Sequence, residues 1–252
     1  MLPLDVIYAT VETGTSHTHS KHILELTYVG VLVFSVIHIW PHYFHGILYK
    51  SKRIATSFSG GMATAYVFIH LLGELQEGYE LLGMSIHVIT LIGFLTFYGL
   101  QRLIWRATLD SVSKQGYIFY IELVFYCVYN YLLIYAIPEQ FEDNIPLTFL
   151  YIISIGFHLL HNDYSLSAKY PRQFRKWGRH ALVFSLFMGL FTDIFAEKSS
   201  KLLSDALLSF LAGSIIFNVF YEELPAPENA SFRWFAAGIG VYGVLLIGIW
   251  TM

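Results

Sequence analysis

The feature that most limits what this chain can fold into is a series of long stretches without a single Asp, Glu, Lys or Arg. Five of them cover residues 26–49, 54–73, 81–100, 144–162 and 234–252. A sixth, 116–138, contains only Glu122, and two shorter ones cover 180–192 and 206–221. About 20 mostly apolar residues allow an α-helix to cross the hydrocarbon core of a bilayer. We therefore predict eight transmembrane helices, of which the sixth and seventh extend into flanking residues.

The composition favours a chain embedded in lipid. Of the 252 residues, 56% are apolar and 13% are charged, and the mean hydropathy is +0.55. Soluble domains carry about 25% charged residues, so this chain cannot coat a soluble globule. We expect an all-α integral membrane protein with a polar, histidine-containing arm at 1–22 and one eight-helix membrane domain at 23–252. The net charge of −3 predicts no nucleic-acid partner, because phosphate binding needs a basic face.

The basic residues predict the orientation in the membrane. If the amino terminus lies outside, twelve of the fifteen lysines and arginines fall in inner loops, and only Lys21, Lys198 and Lys201 lie outside. Because basic residues are enriched in cytoplasmic loops, we expect both termini to be extracytoplasmic. The arm lacks the basic start and apolar core of a cleavable signal peptide, so we expect none there.

Histidines are concentrated in the arm and in the first predicted helix. They are His17, His19 and His22, and then His38, His42 and His45. The arm either collects a transition metal loosely or is simply solvated. The second group shares one helical stripe around Pro41, which should kink the helix. It is either a metal or proton-relay site or a set of histidines at the inner membrane boundary.

In the second predicted helix, His70 and Glu74 are four residues apart and share a face, and Glu77 follows. They can bind or relay a cation at the extracytoplasmic end of this helix, or they form a polar pair that caps the helix end. Ser59, Gly60 and Gly61 in the same helix form a small-residue surface that permits close helix contact.

The fourth and fifth predicted helices carry polar stripes. The fourth has Glu122, Tyr126 and Asn130, and the fifth has His158, His161, Asn162 and Asp163. Polar side chains in a membrane helix usually face the bundle interior, so we expect these helices to pack together with Asn130 near His158. Imidazole, carboxylate and amide oxygen suit Zn²⁺, Fe²⁺ or Mn²⁺. The alternative for the fifth helix is a polar end that faces the cytoplasm.

Two segments resemble the ZIP (Zrt/Irt-like) family of divalent-metal transporters. The segment FSGGMATAYVFIHLLGE is similar to the second helix of that family, and FLAGSIIFNVFYEELP is similar to its seventh. The resemblance implies eight helices with both termini outside. It also implies a binuclear metal site formed by His-x-x-x-Asp/Asn-Gly in the fourth helix and His-x-x-x-Glu-Gly in the fifth.

The chain departs from that family at the metal site itself. His158 and Asn130 match the motif, but Tyr126 stands where the fourth helix should have histidine, and Asn162 stands where the fifth should have glutamate. Asp163 replaces a glycine. Tyrosine and asparagine are poorer ligands for these dications than imidazole and carboxylate, so we expect no intact binuclear centre.

Three functions remain open at this point. The first is a divergent ZIP-like transporter of Zn²⁺, Fe²⁺ or Mn²⁺ that works by alternating access, with the ion held by His158, Asn130 and neighbours such as Asp163 or Glu122. The second is a ZIP-like subunit or metal sensor without transport, which scaffolds a partner protein or forms a homodimer. The third is a membrane enzyme with a metal at His158, His161 and Asp163, although no H-E-x-x-H motif is present and we expect no enzymatic activity.

Overall fold

The structure is a computed structural model, and it describes residues 24–48, 51–110, 115–137, 141, 144–195, 201–224 and 226–251. All the secondary structure in these ranges is helical. Six of the helices are long and apolar enough to cross a membrane. The chain is therefore an all-α, multi-pass membrane protein, as its uncharged stretches predict. The arm at 1–22 and its histidines lie outside the described residues, so their predicted role stays a prediction.

The helices are numbered here in chain order. The first four are α1 (Leu24–Ile39, resuming as Pro41–Leu48), α2 (Lys52–Ala65, a π-helical turn Tyr66–Leu71, then Leu72–Leu82), α3 (Ser85–Asp110) and α4 (Gln115–Tyr135). The others are α5 (Ile145–Lys169), α6 (Pro171–Gln173, a π-helical turn Phe174–Gly178, then Arg179–Phe195), α7 (Lys201–Asn218 with a π-helical turn Val219–Glu223) and α8 (Phe232–Trp250). A 3₁₀ turn, Pro227–Asn229, lies between α7 and α8. The six candidate spans are α2, α3, α4, α5, α7 and α8.

The helices extend further than the uncharged stretches from which they are predicted. α2 continues through Glu74 and Glu77 to Leu82, and α3 continues through Arg102 and Arg106 to Asp110. Charged residues at the ends of a spanning helix can reach the headgroups or water while the backbone stays helical. The stretches therefore give the positions of the helices but not their ends.

Pro41 interrupts α1 as predicted. The helix stops at Trp40 and a new helical segment begins at Pro41. Proline has no N–H to donate and its ring collides with the preceding turn, so it fits the first turn of a helix and not its interior.

The bundle consists of helix pairs around a central helix. α3 packs most extensively against α7, α2 against α8, and α4 against α6. α5 contacts segments of α1, α2, α7 and α8, and the side chains along much of its length are buried. This central position explains why a helix with several polar residues can be kept away from lipid.

Glycines allow two of these helix pairs to bring their backbones into contact. A Cβ atom added at Gly93 of α3 would overlap the carbonyl oxygen of Phe210 in α7, and one at Gly213 would overlap that of Thr90. A Cβ atom at Gly61 of α2 would overlap the carbonyl oxygen of Phe235 in α8, and one at Gly238 of α8 would overlap that of Phe58. The small-residue surface predicted on α2 is therefore a close-packed interface, of the kind common between membrane helices.

Candidate functional site

His158 is buried at the centre of the bundle, where side chains from three helices meet. Its Nε2 atom lies 2.8 Å from the hydroxyl of Tyr129 in α4 and 3.0 Å from the amide nitrogen of Asn162, one turn further along α5. Its Nδ1 atom contacts a carboxylate oxygen of Glu223, at the end of α7. All four side chains are buried.

These contacts indicate how the imidazole is protonated. The Asn162 NH₂ group beside Nε2 can only donate and the carboxylate beside Nδ1 can only accept, which assigns the ring hydrogen to Nδ1. Nδ1 then carries the hydrogen and donates it to the Glu223 carboxylate. A neutral imidazole held in one tautomer by a carboxylate can pass the Nδ1 proton along a relay, or bind a metal ion at Nδ1 once the ring hydrogen has moved to Nε2.

The helical spacing of α7 does not predict an inward position for Glu223, because α7 ends in a π-helical turn. In a regular α-helix, Asn218 shares a face with Glu222, four residues later. In the π-helical turn Val219–Glu223, each backbone hydrogen bond spans five residues instead of four. Glu223, and not Glu222, therefore points towards His158. Glu222 accepts a hydrogen bond from Gln101 of α3 at 2.9 Å. The sequence gives one indication that Glu223 could replace Glu222 at the inward position, which is that the two glutamates are adjacent.

A second buried pair lies on another side of α5. The Nδ1 atom of His38 in α1 is 2.5 Å from a carboxylate oxygen of Asp163, and both side chains are buried. Five residues along an α-helix correspond to a rotation of about 140°, so Asp163 faces α1 while His158 faces α4 and α7. The polar stripe of the fifth predicted helix is thus divided between two neighbours.

Other predicted ligands take different positions. Asn130 is 1% exposed, but it is the preceding residue, Tyr129, that contacts His158, so a direct role of Asn130 stays a prediction. His161 is half-buried. In α1 the break at Pro41 separates the histidines: His38 is buried and His42 is exposed, with its ring 5.7 Å from that of Tyr164.

Glu122 lies away from His158, at the C-terminal end of α5. Its carboxylate is 3.3 Å from the ammonium group of Lys169, which is eleven residues, or about 16 Å of helix, beyond His158. The Tyr170 hydroxyl also contacts this carboxylate, and burial together with the nearby Glu122 charge raises the pKa of Tyr170. That hydroxyl therefore stays neutral and available as a donor.

His70 and Glu74 are 3.7 Å apart and do not lie at a helix end. His70 belongs to the π-helical turn of α2, and its ring stacks on Phe141 at 5.2 Å. Phe141 in turn packs on Tyr151, and Tyr151 packs on Tyr66. The rings of Tyr66 and Phe141 therefore pack against His70.

Within the described ranges, no three His, Cys, Asp or Glu side chains come together as a metal site. The pair His158–Glu223 instead has unpaired oxygen atoms beside it. The second carboxylate oxygen of Glu223 and the amide oxygen of Asn162 are buried and lack a hydrogen-bond partner in the described part of the chain. Two strong ligands and two such oxygens are the donor set available to an ion here.

The comparisons with known proteins leave the family of this chain open. No protein-family model matches it, and no curated protein matches it.

Proposed function

We propose that this protein is a membrane transporter for a divalent transition metal ion, Zn²⁺, Fe²⁺ or Mn²⁺, and that the ion binds between His158 and Glu223. The observation that carries the proposal is a buried imidazole–carboxylate pair at the centre of a membrane-embedded bundle. Ionisable side chains are costly in that position and usually mark an ion or proton pathway.

The chemistry of the pair suits such an ion. A dication would bind at Nδ1 of His158 and at Glu223, and the ring hydrogen would move from Nδ1 to Nε2, where the Tyr129 hydroxyl oxygen can accept it. The unpaired oxygens of Glu223 and Asn162 and water complete its coordination, since Zn²⁺ favours four nitrogen, oxygen or sulfur ligands. Protons compete with the ion for the imidazole and the carboxylate, so affinity falls as the pH falls.

The transport proposal also rests on the topology. α1 and α6 would be the two remaining spans of an eight-helix bundle with both termini outside, as in the ZIP family that the α2 and α7 segments resemble. The ion would then be exposed to either side as helix pairs rock around the central α5. Alternation around a midplane site is a common mechanism of transport.

Metal titration tests the site directly. Zn²⁺ and Mn²⁺ are titrated into purified protein, His158→Ala and Glu223→Gln, with the arm histidines at 17, 19 and 22 replaced by serine in every sample. Loss of a supporting residue around a metal site typically costs 10–100-fold in affinity, so loss of either ligand should cost at least about tenfold. His180→Ala, an exposed histidine of α6, is the matched control and should bind like the parent. Equal affinity in all samples would overturn the proposal.

A second function, a membrane subunit without transport, is favoured by one observation. The described residues hold pairs of metal-binding side chains but no group of three. In that case His158 and Glu223 only hold α5 and α7 together. Vesicles that contain the protein would then take up no Zn²⁺ or Mn²⁺, and neither the parent nor the variants would bind these ions.

A further inference from the structure

The start of α6 presents basic and aromatic side chains at the boundary of the membrane. Arg172, Arg175, Lys176 and Trp177 are exposed there and form what is called here the α6 surface. α5, a candidate span, ends at Lys169, one turn before this surface. Its 25 residues give about 38 Å of helix, which exceeds the roughly 30 Å of the hydrocarbon core. The α6 surface therefore lies at the level of the lipid headgroups.

The opposite side of this turn is anchored in the bundle. Phe174 is buried in the same apolar cluster as Phe119 of α4. The ring of Phe119 also lies beside Gly178, where an added Cβ atom would approach it to 3.3 Å. The turn cannot rotate about its axis without exposing Phe174, so the charged side chains stay on its outward side.

The three cations of the α6 surface are not neutralised by the protein. Residues 164–192 contain no Asp or Glu, and none of the three cations forms an ion pair within the ranges that the structure describes. Arg175 donates a hydrogen bond to the carbonyl oxygen of Pro171 at 3.3 Å, which leaves its positive charge in place. Clustered charges of one sign attract counter-ions from outside the protein.

Trp177 indicates that these counter-ions belong to a membrane. Its ring is 56% exposed, and the ammonium group of Lys176 lies over it, 5.7 Å from its centre. Tryptophan is enriched at the membrane–water interface, where its ring sits among the headgroups. Arg102 and the exposed Trp105 form a similar pair at 5.4 Å near the end of α3. A cation beside an exposed indole suits a ligand with a charged head and apolar chains.

We propose that the α6 surface binds the phosphate groups of anionic phospholipids in the adjoining leaflet. Clusters of basic residues next to a transmembrane helix attract such lipids, and the guanidinium groups of Arg172 and Arg175 match phosphate oxygens in geometry as well as in charge. The surface does not include His158 or Glu223, so the test of this proposal and the test of the proposed function fail independently.

Native mass spectrometry of the full-length protein in a neutral detergent measures lipid binding directly. The probes are dioleoyl phosphatidylglycerol, which is anionic, and dioleoyl phosphatidylcholine, which has the same chains and no net charge. Each basic residue at an anionic membrane surface strengthens attraction by about fivefold. We expect phosphatidylglycerol to bind at least about tenfold more tightly, and Arg175→Gln and Lys176→Gln each to weaken its binding by about fivefold without changing that of phosphatidylcholine.

Two controls make the result specific. Lys201→Gln removes the same charge from an exposed position beyond the far end of α6 and should bind phosphatidylglycerol like the parent, and Arg175→Lys should keep most of the binding. Equal binding of the two lipids by the parent, or an equal loss in Lys201→Gln and Arg175→Gln, would overturn the proposal. Equally tight binding of water-soluble glycerophosphoglycerol would also overturn it, because the ligand would then be a free phosphate compound and not the membrane.

Discussion

At the scale of single residues, the decisive feature is that α5 pairs its polar side chains with different neighbours. His158 meets α4 and α7, while Asp163 meets His38 of α1. The second pair is buried, so each side chain depends on the other for its polar contact. Removal of one partner of a buried ion pair is far more costly than replacement of both, because it leaves a buried charge alone.

Substitutions of His38 and Asp163 should therefore have strongly non-additive effects on the free energy of unfolding. We expect His38→Leu to lower the free energy of unfolding by about 3–5 kcal/mol, and Asp163→Leu added to it to restore most of that loss. His42→Leu, at an exposed position of the same helix, should change stability little. Thermal unfolding of the purified variants measures this. Equal stability of His38→Leu and His42→Leu would show that the pair contributes nothing.

At the scale of helices, the sequence predicts which segments are helical and which residues lie inside, but not where each side chain points. The uncharged stretches locate the helices, and the predicted burial of Glu122, Asn130 and His158 is confirmed. The partner of His158 could not be predicted, because a π-helical turn leaves no mark in the apolar pattern and changes which glutamate of α7 faces inward. The pairing of His38 with Asp163 depends on how α1 packs on α5, which no local pattern encodes.

Contact between α3 and α7 depends on glycine. Gly93→Ala places a methyl group on the backbone of α7 at Phe210, whereas Gly99→Ala, in the same helix, meets nothing within 4 Å. Overpacking typically costs 1–3 kcal/mol, so Gly93→Ala should lower the unfolding temperature while Gly99→Ala should not. The measurement is thermal unfolding in one detergent. A Gly93→Ala protein as stable as Gly99→Ala would mean that the two backbones are not in contact.

At the scale of the whole molecule, the two ends of the bundle differ in charge. Near the turn between α2 and α3, a chamber of about 310 Å³ is lined by Glu74, Glu77 and Asp205, and Gly78 in its lining packs on Ile86. The other end has the Glu122–Lys169 pair and the basic start of α6. If basic residues mark the cytoplasmic side, this acidic end of the bundle faces outward.

Orientation is tested by labelling single cysteines in intact cells, in a chain whose Cys127 is replaced by alanine. Met84 is exposed in the turn between α2 and α3, and Lys176 is exposed at the start of α6. We expect an impermeant maleimide to label Met84→Cys in intact cells but Lys176→Cys only after permeabilisation, because the lysines and arginines of an inner loop stay in the cytoplasm during insertion. Labelling of Lys176→Cys alone in intact cells would invert the topology and place the acidic end of the bundle inside. Labelling of both in intact cells would mean that an even number of spans, and not the three helices α3, α4 and α5, separates the two positions, and the eight-helix arrangement would be wrong.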